Sequence, residues 1–496
     1  MIRRAALAVA AVVLLGACGL DLPDPATTTT TTAPPSSTTT APATTNASPG
    51  PPEIHWTSCG DVAQCALVRV PLDHDRPDGP STPLAVERVP ARKPDERIGA
   101  LFVNPGGPGG SATELAVGLA AAVPDDIRDR FDIVGFDPRG VGRSAGLSCR
   151  DGVQAMYHAD PTIDDRADRQ QLLRTSRTFV DRCTAGHTAL LGHAGTEDAA
   201  QDMDLLRQAM GDDQLSYLGY SYGTAIGQVY ADRFPQHVRA MVLDGVVDLT
   251  KPGIAGAEEQ ARGFEQALRR FAAACRRQRS CPIAADPIGV VDRVTATAEQ
   301  QPIPAPHEDR AAGPGEIALG LAQALYSRSE WDRLAGAIDD ARHGDGNGLV
   351  ALADEYLGVA DFGTYFAVNC LDARWPDVDG VLAAAKRAGR ASAHFGEAVV
   401  DDYVRCSLWP VPPDPVPPPS RGEHLAPVLV VSTVGDPATP YESGVAVAHH
   451  LAHGVLLTYE GDGHTITFSG SSCIDEKVVR YLVERTPPAD GTLCPA

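Results

Sequence analysis

A serine flanked by two glycines is the feature of this chain that most clearly suggests chemistry. The stretch Leu215–Tyr230 predicts a short apolar strand, then the pattern Gly219-x-Ser221-x-Gly223, then a helix. This arrangement is typical of a nucleophile elbow, in which a serine sits exposed on a sharp strand-to-helix turn. Glycines are needed beside such a turn because larger side chains would collide with the strand and helix. Since the chain holds 48 glycines, a plain loop is the alternative interpretation.

A serine nucleophile needs a base and an acid, and in this kind of site they follow it along the chain in the order Ser, acid, His. Asp436 comes just after the predicted strand Ala426–Ser432, where parallel sheets place functional groups. His464 lies in a glycine-rich turn 28 residues later, after one more helix and strand. We therefore predict a catalytic triad of Ser221, Asp436 and His464.

Other residues compete for two of these roles. Asp248 follows the strand after the elbow and is the main alternative for the acid, whereas Asp462 lies too close in sequence to His464 to orient it easily. A helix N-cap is the alternative role for Asp436. The remaining histidines after Asp436 lie on a predicted helix, where surface or packing roles are expected; they are His449, His450 and His453.

Negative charge on the substrate oxygen requires N–H donors near the serine. The backbone N–H of Tyr222, next to the nucleophile, is one expected donor. The other is expected from the loop Asn104–Gly110, where we assign the N–H of Gly107. A mere tight turn is the alternative for this loop. A dinucleotide site is excluded because prolines interrupt the glycines and the G-x-G-x-x-G spacing is missing.

Strands that alternate with helices predict a parallel, doubly wound sheet, an α/β fold of the α/β-hydrolase type. Besides the elbow strand, the predicted strands are Leu67–Pro71, Leu84–Pro90, Ile98–Asn104, Phe131–Asp137, Ala240–Val247, Ala426–Ser432 and, last, Gly454–Tyr459. Helical patterns dominate between them from 249 to 422, which predicts an inserted helical cap. The core is then expected in two parts, residues 53–248 and 423–496.

The N-terminus carries the marks of export. Two arginines precede an apolar run that is too short to anchor in a bilayer, which predicts a signal peptide over residues 1–18. The run ends in Leu15-Gly-Ala-Cys18, which resembles a bacterial lipobox, so we expect lipidation of Cys18, by palmitate among other chains, and a lipoprotein on the outer face of the cell membrane. An ordinary cleavage site is the alternative. Residues 19–52 are rich in Thr, Pro and Ser and predict a disordered tether.

Composition narrows the functional classes. The chain has 496 residues, 43% of them hydrophobic, and a net charge of −22, which argues against nucleic-acid binding and electrostatic attachment to anionic lipid. No spacing suggests a metal site or an organic cofactor, and we expect a monomer. Removing Cys18 from the 11 cysteines leaves an even number, which suggests disulfides in an exported protein, with free thiols as the alternative. Pairing in sequence order predicts Cys59–Cys65, Cys149–Cys183, Cys275–Cys281, Cys370–Cys406 and Cys473–Cys494.

Several motifs together resemble the actinobacterial tripeptidyl aminopeptidase family, a secreted or lipoprotein branch of the α/β-hydrolases that is related to prolyl iminopeptidases. The motifs are N-P-G-G-P-G-G-S, F-D-P-R-G-x-G-x-S, G-Y-S-Y-G-T, G-D-x-x-T-P and G-H-T, within a resemblance that runs from about Trp56 to the C-terminus. The family includes mycobacterial cell-envelope serine proteases that are also described as carboxylesterases. The resemblance implies release of short peptides from a free N-terminus of a peptide or protein substrate.

A site for a free N-terminus should hold a carboxylate that captures the amine. Asp372, in the predicted cap, and Glu442, after Thr439-Pro-Tyr, are the two residues we consider for it. A helix cap or a salt bridge is the alternative role for Asp372. Two other functions stay open at this stage. One is a carboxylesterase or lipase with the same triad, and the other is an envelope binding protein with an inactive hydrolase fold.

Overall fold

The structure, a computed structural model, describes residues 50–147, 153, 156, 157, 162, 163, 165–308, 310–358 and 360–496. The predicted signal peptide, Cys18 and all of the tether up to residue 49 lie outside the described residues. In the part of the chain that is described, no helix is both long and apolar enough to cross a membrane.

A ten-stranded sheet forms the centre of the fold, in the order β1-β2-β3-β5-β4-β6-β7-β10-β11-β12. The strands β1, β2, β3 and β5 pair antiparallel, and all pairs from β5 to β12 are parallel. The central strands are buried along their whole length, as expected for parallel strands covered on both faces. The strands of this sheet are β1 (Thr57–Ser58), β2 (Gln64–Pro71), β3 (Ser81–Val89), β4 (Gly99–Asn104), β5 (Phe131–Phe136), β6 (Leu215–Tyr220), β7 (Val238–Asp244), β10 (Val428–Gly435), β11 (Gly454–Asp462) and β12 (Thr492–Pro495).

Helices cover both faces of this sheet and fill the segment between β7 and β10. That segment also holds a small hairpin of β8 (Ile303–Ala305) and β9 (Arg310–Ala312). The helices are α1 (Ala112–Ala122), α2 (Asp125–Arg130), α3 (Arg166–Thr184), α4 (Thr188–Leu191), α5 (Thr196–Ala209), α6 (Gly223–Arg233), α7 (Ile254–Arg277), α8 (Pro287–Gln300), α9 (Pro314–Leu325), α10 (Trp331–Arg342), α11 (Asn347–Gly358), α12 (Phe362–Asp372), α13 (Val378–Ala391), α14 (Gly396–Asp401), α15 (Val404–Ser407), α16 (Tyr441–His450) and α17 (Ser472–Glu484).

The two faces of the sheet have separate apolar cores. On one face, side chains of α5, α6 and α16 such as Met203, Ile226 and Val447 pack against the strands. On the other face α1, α2 and α17 do the same, with Ile127 and Val478 among the buried residues. A parallel sheet between two helical layers is the predicted α/β-hydrolase architecture, and the fold-class prediction is confirmed.

The helices from α7 to α15, which we call the insertion, occupy the chain between β7 and β10. Their apolar faces form further cores of their own. The insertion also packs against α3, which precedes the elbow strand, because Phe179 and Val180 of α3 contact Phe366 of α12. The sequence did not reveal this helix or its packing, since its residues are strongly polar outside one narrow apolar stripe.

One predicted boundary of the sheet is wrong. Gly454–Tyr459 is not the last strand, because Thr492–Pro495 pairs parallel with it at the edge of the sheet. A disulfide from Cys494 to Cys473, at the start of α17, ties this short strand down. Four residues carry too weak a pattern to be recognised alone, so the tertiary pairing decides their conformation.

The disulfides that the structure describes agree with pairing in sequence order. They are Cys59–Cys65, Cys275–Cys281, Cys370–Cys406 and Cys473–Cys494. Cys183 is also disulfide-bonded. Cys149 lies outside the described residues, so its predicted pairing stays a prediction.

Candidate active site

Ser221 lies on the turn between β6 and α6 with φ +54°, a left-handed conformation that is rare for a serine. The flanking glycines are required by space. A Cβ atom on Gly219 would lie 2.6 Å from the carbonyl oxygen of Gly223, and one on Gly223 would lie 2.7 Å from that of Asn104. The N–H of Ser221 donates to the carbonyl of Asp244 at 2.9 Å. Close main-chain packing therefore holds the serine in its strained turn.

The glycine-rich loop after β4 lies directly against this turn. Gly106 has φ +92°, and a Cβ there would lie 2.8 Å from both the Cβ of Ser221 and the backbone nitrogen of Tyr222. The neighbouring Gly107 lines the same cavity as Ser221 and Tyr222. Within the described part of the chain, neither the N–H of Gly107 nor that of Tyr222 donates a hydrogen bond. Both N–H groups are thus available to an oxygen at the serine.

Asp436 and His464 form a buried pair at the carboxyl ends of β10 and β11. The Nδ1 atom of His464 lies 2.9 Å from each carboxylate oxygen of Asp436. The backbone N–H groups of Ala438 and Thr439 donate to Asp436 at 2.9 Å, and the Thr439 hydroxyl donates to it at 3.1 Å. These donors fix the carboxylate so that it faces the imidazole.

The electrostatics of this pair favour a charged imidazole. Burial by itself lowers the pKa of His464, but the Asp436 charge and hydrogen bond outweigh it and raise the pKa above its usual range. The other ring nitrogen, Nε2, is buried and has no hydrogen-bond partner among the described residues. A Cβ on Gly245 would lie 3.0 Å from Cε1 of His464, so the ring packs beside the residue that follows Asp244. Since Asp244 holds the N–H of Ser221, base and nucleophile are supported by consecutive residues.

Asp244 is a buried residue between the nucleophile and the histidine loop that the sequence analysis did not single out. Its carboxylate is fully buried and accepts hydrogen bonds from the N–H groups of Ile466 and Thr467, at 2.9 and 2.7 Å. Burial raises the pKa of Asp244, against these hydrogen bonds, which lower it. The residue thus holds Ser221 by its carbonyl and the His464 loop by its side chain. Asp244 lies inside the predicted strand Ala240–Val247, whereas the observed strand β7 ends at it. A carboxylate within an otherwise apolar strand is the signal that could have found it.

The cavity at Ser221 has a volume of about 190 Å³ and brings a carboxylate to the nucleophile. Asp372, at the end of α12, lines it together with Ser221 and Tyr222. The Thr196 N–H donates to Asp372 at 3.1 and 3.3 Å, and the Thr196 hydroxyl bonds both Asp372 and, at 2.7 Å, the hydroxyl of Tyr222. Burial raises the pKa of Asp372 to about 7, although the Thr196 hydrogen bonds lower it. The carboxylate also caps α5, which is the alternative role foreseen for it.

A second set of charges lines the same cavity. Lys251 lies 2.8 Å from Glu259 and 3.2 Å from Asp248. Asp248, the competing residue for the catalytic acid, also accepts hydrogen bonds from the Thr250 N–H and hydroxyl at 3.0 and 2.6 Å. Its recorded partners are thus on its own loop, whereas the imidazole of His464 pairs with Asp436.

The remaining sequence candidates lie elsewhere. Glu442 is exposed in the first turn of α16 and does not line the cavity. Asp462 forms an ion pair with Arg270 of α7. His450 and His453 hydrogen-bond backbone carbonyls at the surface.

Among the described residues, the group with metal-ligand spacing is Cys59, Cys65 and Glu87, and its two cysteines are disulfide-bonded to each other.

Comparison with known proteins places the chain in a family. Residues 391–494 match the family model described as "TAP-like protein". The chain is 38% identical to serine protease Hip1 of Mycobacterium tuberculosis, with 89% of this chain and 91% of the relative covered. It is 39% identical to carboxylesterase B of the same organism, with 89% and 90% covered. It is 32% identical to tripeptidyl aminopeptidase of Streptomyces lividans, with 89% and 87% covered. The chain belongs to the tripeptidyl aminopeptidase family of α/β-hydrolases, as its motifs predict.

Proposed function

We propose that this protein is a serine peptidase that releases short peptides, tripeptides foremost, from substrates with a free N-terminus. The observation that carries the proposal is the carboxylate of Asp372 in the same cavity as Ser221. A substrate ammonium group is a matching partner for a carboxylate withdrawn from water. Relatives named serine protease and tripeptidyl aminopeptidase support the same class of reaction.

The proposed reaction proceeds through an acyl-enzyme. His464 Nε2 removes the proton from the Ser221 hydroxyl as its oxygen bonds to the scissile carbonyl carbon. The carbonyl oxygen becomes negative and accepts hydrogen bonds from the N–H groups of Gly107 and Tyr222. When the C–N bond breaks, the imidazolium returns its proton to the leaving nitrogen. Asp436 holds the imidazole in the tautomer that makes this possible.

Water completes the cycle by the same route. His464 takes a proton from a water molecule whose oxygen attacks the acyl carbon of the Ser221 ester. Collapse of the second tetrahedral intermediate breaks the bond to the serine oxygen, which recovers a proton from the imidazolium. The released product is the N-terminal peptide with a free carboxylate.

The charge of Asp372 sets the pH range of amine binding. Because its pKa is raised to about 7, the carboxyl group is only partly ionised at neutral pH in the free enzyme. A bound ammonium group would stabilise the ionised form and lower this pKa. Binding should therefore strengthen as the pH rises through 7, until the substrate amine loses its own proton near pH ~8.

An esterase that uses the same triad is the second function considered. The observation that favours it is the relative named carboxylesterase B, which is as similar to this chain as the protease relative. Ester and amide hydrolysis need the same nucleophile, base and oxyanion donors, so the triad does not separate them. The cavity must do so, and the carboxylate in it favours a free amine.

Two matched sets of substrates test the proposal on the body from Pro52 onward. One set contains tripeptide-coumarin amides with and without N-terminal acetylation, and the other contains nitrophenyl esters of increasing chain length. We expect cleavage of the free-amine amides, strongly reduced by acetylation and absent in Ser221→Ala. Ester turnover without amide turnover would instead assign the enzyme as an esterase. Failure of Ser221 to react with a fluorophosphonate probe would revive the inactive-hydrolase alternative.

We further propose that the enzyme works outside the cell membrane, as a monomer held by a lipid on Cys18 and spaced from the surface by residues 19–52. The sequence pattern at Cys18 and the disulfides of the body support export. Metabolic labelling with an alkyne fatty acid tests the anchor. We expect label and membrane association in the wild type and neither in Cys18→Ser. A wild-type protein that is unlabelled and released to the medium would overturn the anchor alone.

A further inference from the structure

A second cavity, of about 100 Å³, lies between the insertion and α3, and it shares lining residues with the cavity at Ser221. Gln260 and Tyr365 line both cavities and form the partition between them. Each is held by a hydrogen bond: the Gln260 amide donates to the carbonyl of Ala438 at 3.4 Å, and the hydroxyl of Tyr365 lies 2.7 Å from that of Tyr403. The proposed mechanism does not use this cavity.

The lining of the second cavity suits an uncharged, apolar group. One wall is a row of small residues on α9, and the others carry aromatic rings. The small residues are Gly315, Ala318 and Ala322, and the rings include Tyr157, Phe264, Tyr356 and Phe395. Small residues leave space for a ligand, and rings offer it apolar contact.

Two of the three charged residues at the end of this cavity pair with each other. Arg405 donates to Asp402 at 2.5 Å, and the Tyr157 hydroxyl donates to the same carboxylate at 3.0 Å. The guanidinium also lies over the Tyr157 ring, with its carbon 5.8 Å from the centroid. The remaining charged residue of the lining, Asp401, has an interaction partner of its own. The Nε atom of Arg405 is buried and has no hydrogen-bond partner among the described residues. The mostly apolar lining, and not a lack of counter-charge, is what favours an uncharged group.

Two aromatic contacts connect this cavity to the histidine. The ring of Tyr326 packs edge-on against that of His464, with centroids 5.3 Å apart. The backbone N–H of His464 donates a hydrogen bond to the backbone carbonyl of Tyr326 at 2.8 Å. The Tyr326 ring in turn contacts Phe264 at 5.5 Å and Tyr356 at 6.3 Å. Since Phe264 and Tyr356 line the second cavity, the ring of Tyr326 links a wall of this cavity directly to His464.

The closeness of the second cavity to His464 indicates which part of a substrate this cavity can reach. The imidazole gives its proton to the leaving nitrogen, so the leaving group must lie next to His464 during bond cleavage. The acyl part lies in the other direction, with its oxygen at Gly107 and Tyr222 and its amine at Asp372. We propose that the second cavity binds a bulky apolar side chain, aromatic or branched aliphatic, of the residue that follows the scissile bond. This inference rests on the proposed peptidase function.

A series of tetrapeptides with one changing residue tests the inference. The substrates are Ala-Ala-Ala-X with X as Phe, Leu, Gly or Asp, and release of X is followed by mass spectrometry. We expect kcat/KM for Phe or Leu to exceed that for Gly by about 10-fold or more, the size of effect that an apolar pocket provides. Asp should be poorer than Phe or Leu, because its carboxylate would lose water against a mostly apolar lining.

Two variants fill the cavity from different helices. The variants are Ala318→Phe on α9 and Ala398→Phe on α14. Each should lower the ratio of kcat/KM for the Phe substrate to kcat/KM for the Gly substrate at least 5-fold. The matched control is Ala383→Phe, which places the same side chain on an exposed position of α13 and should keep the wild-type ratio. Labelling of Ser221 by a fluorophosphonate confirms that each variant is folded, and the wild-type series alone decides the matter if both fail to fold.

Each other result has a definite meaning. Cleavage of all four peptides at equal rates, or fillings that leave the ratio intact, would overturn the inference while the peptidase function stands. Absence of cleavage for every X would reject the peptidase function itself. If the fillings instead reduce hydrolysis of long-chain nitrophenyl esters relative to short ones, without changing the preference for X, the cavity holds an acyl chain and the inference is wrong.

Discussion

Ser221 and Asp372 line the same cavity, but different kinds of contact hold them in place. Around Ser221 the contacts are between main-chain atoms, with glycines at 219 and 223 because no Cβ fits. Around Asp372 the contacts are hydrogen bonds from Thr196, whose N–H and hydroxyl both donate to the carboxylate, and the same hydroxyl also bonds that of Tyr222. We expect the first region to carry out the chemistry that all substrates share and the second to distinguish one substrate from another. Substitutions should therefore stop turnover at the first and shift selectivity at the second.

The two regions are nevertheless linked. Thr196 bonds both Asp372 and Tyr222, and Tyr222 is one of the two expected oxyanion donors. Hydrogen bonds connect Asp372 to Thr196 and Thr196 to Tyr222. The first of these bonds joins residues that are 176 positions apart in the sequence. In the proposed function, a substrate amine at Asp372 is thus two hydrogen bonds away from Tyr222, the proposed donor to the reacting oxygen.

The largest effect is expected at the nucleophile. Ser221→Ala removes the group that forms the acyl-enzyme, so kcat should fall on the order of 10⁶-fold on free-amine amides. The melting temperature should change little, because the small side chain makes no packing contact that alanine cannot replace. Residual activity within 100-fold of wild type would contradict the assignment of Ser221.

The catalytic acid should follow, and a matched substitution separates the two candidates. Asp436→Asn leaves an amide that cannot hold the same imidazole tautomer, so we expect a loss in kcat on the order of 10⁴-fold. Asp248→Asn changes a residue whose partners are Lys251 and its own loop, so its kcat should stay within about 10-fold of wild type. The opposite ranking in steady-state assays would move the acid to Asp248.

At the amine site the expected effect is smaller and falls on KM. Asp372→Asn keeps a carbonyl oxygen for the Thr196 N–H and removes the charge, so helix capping survives while ammonium binding is lost. We expect KM for free-amine tripeptide amides to rise about 10- to 100-fold, with little change for acetylated ones. Glu442→Gln is the control, because this exposed carboxylate lies outside the cavity. Equal effects on free and acetylated substrates would leave Asp372 with capping alone.

A disulfide lies next to Asp372 in the sequence. It joins Cys370, two residues before Asp372, to Cys406, 36 residues further along the chain. The disulfide between Cys275 and Cys281 joins residues only 6 positions apart. Loop entropy predicts that Cys370→Ala/Cys406→Ala loses about 3–4 kcal/mol of unfolding free energy, about 1–2 kcal/mol more than Cys275→Ala/Cys281→Ala. Denaturant titration measures both losses. The first variant should also raise KM for free-amine substrates, and the second should not.

The pH dependence should divide between the two regions. The raised pKa of His464 means that kcat falls as the pH decreases through a value above ~6.5, because the protonated ring is no longer a base. The pKa of Asp372, about 7, means that KM for free-amine substrates rises as the pH falls below 7. In Asp372→Asn the KM limb should vanish and the kcat limb should stay. A KM limb that persists in this variant would assign it to another group.

Much of the architecture follows from local patterns. Apolar stretches separated by helical ones predict the parallel sheet, and functional groups collect where its strands end. Ser221, Asp436 and His464 could be singled out for that reason, since each follows a strong strand. The short strand Thr492–Pro495 and the helix Arg166–Thr184 could not be predicted, because their sequence patterns are weak. The strand depends on pairing with β11 and on the disulfide at Cys494, and the helix depends on packing against α12.

Choices between similar residues were beyond the sequence. Asp372 is the last residue of α12 and Glu442 lies in the first turn of α16, yet of these two carboxylates only Asp372 shares a cavity with Ser221. Asp244 is the last residue of β7 and Asp248 lies four residues later, but the first faces the loop of His464 and the second faces Lys251. The direction of a side chain after a strand end depends on which loops surround it, and sequence spacing does not contain that information.

By itself, the sequence determines the glycine-bounded serine, the order of nucleophile, acid and base, and the family, because these depend on neighbouring residues and repeat as motifs. The tertiary structure alone decides that Thr196 meets Asp372 and that Tyr326 of the insertion packs on His464. These contacts join residues more than a hundred positions apart, and their geometry is the sum of many packing choices along the intervening chain. The chemistry is therefore legible in local order, whereas the selection of substrates is a property of the folded whole.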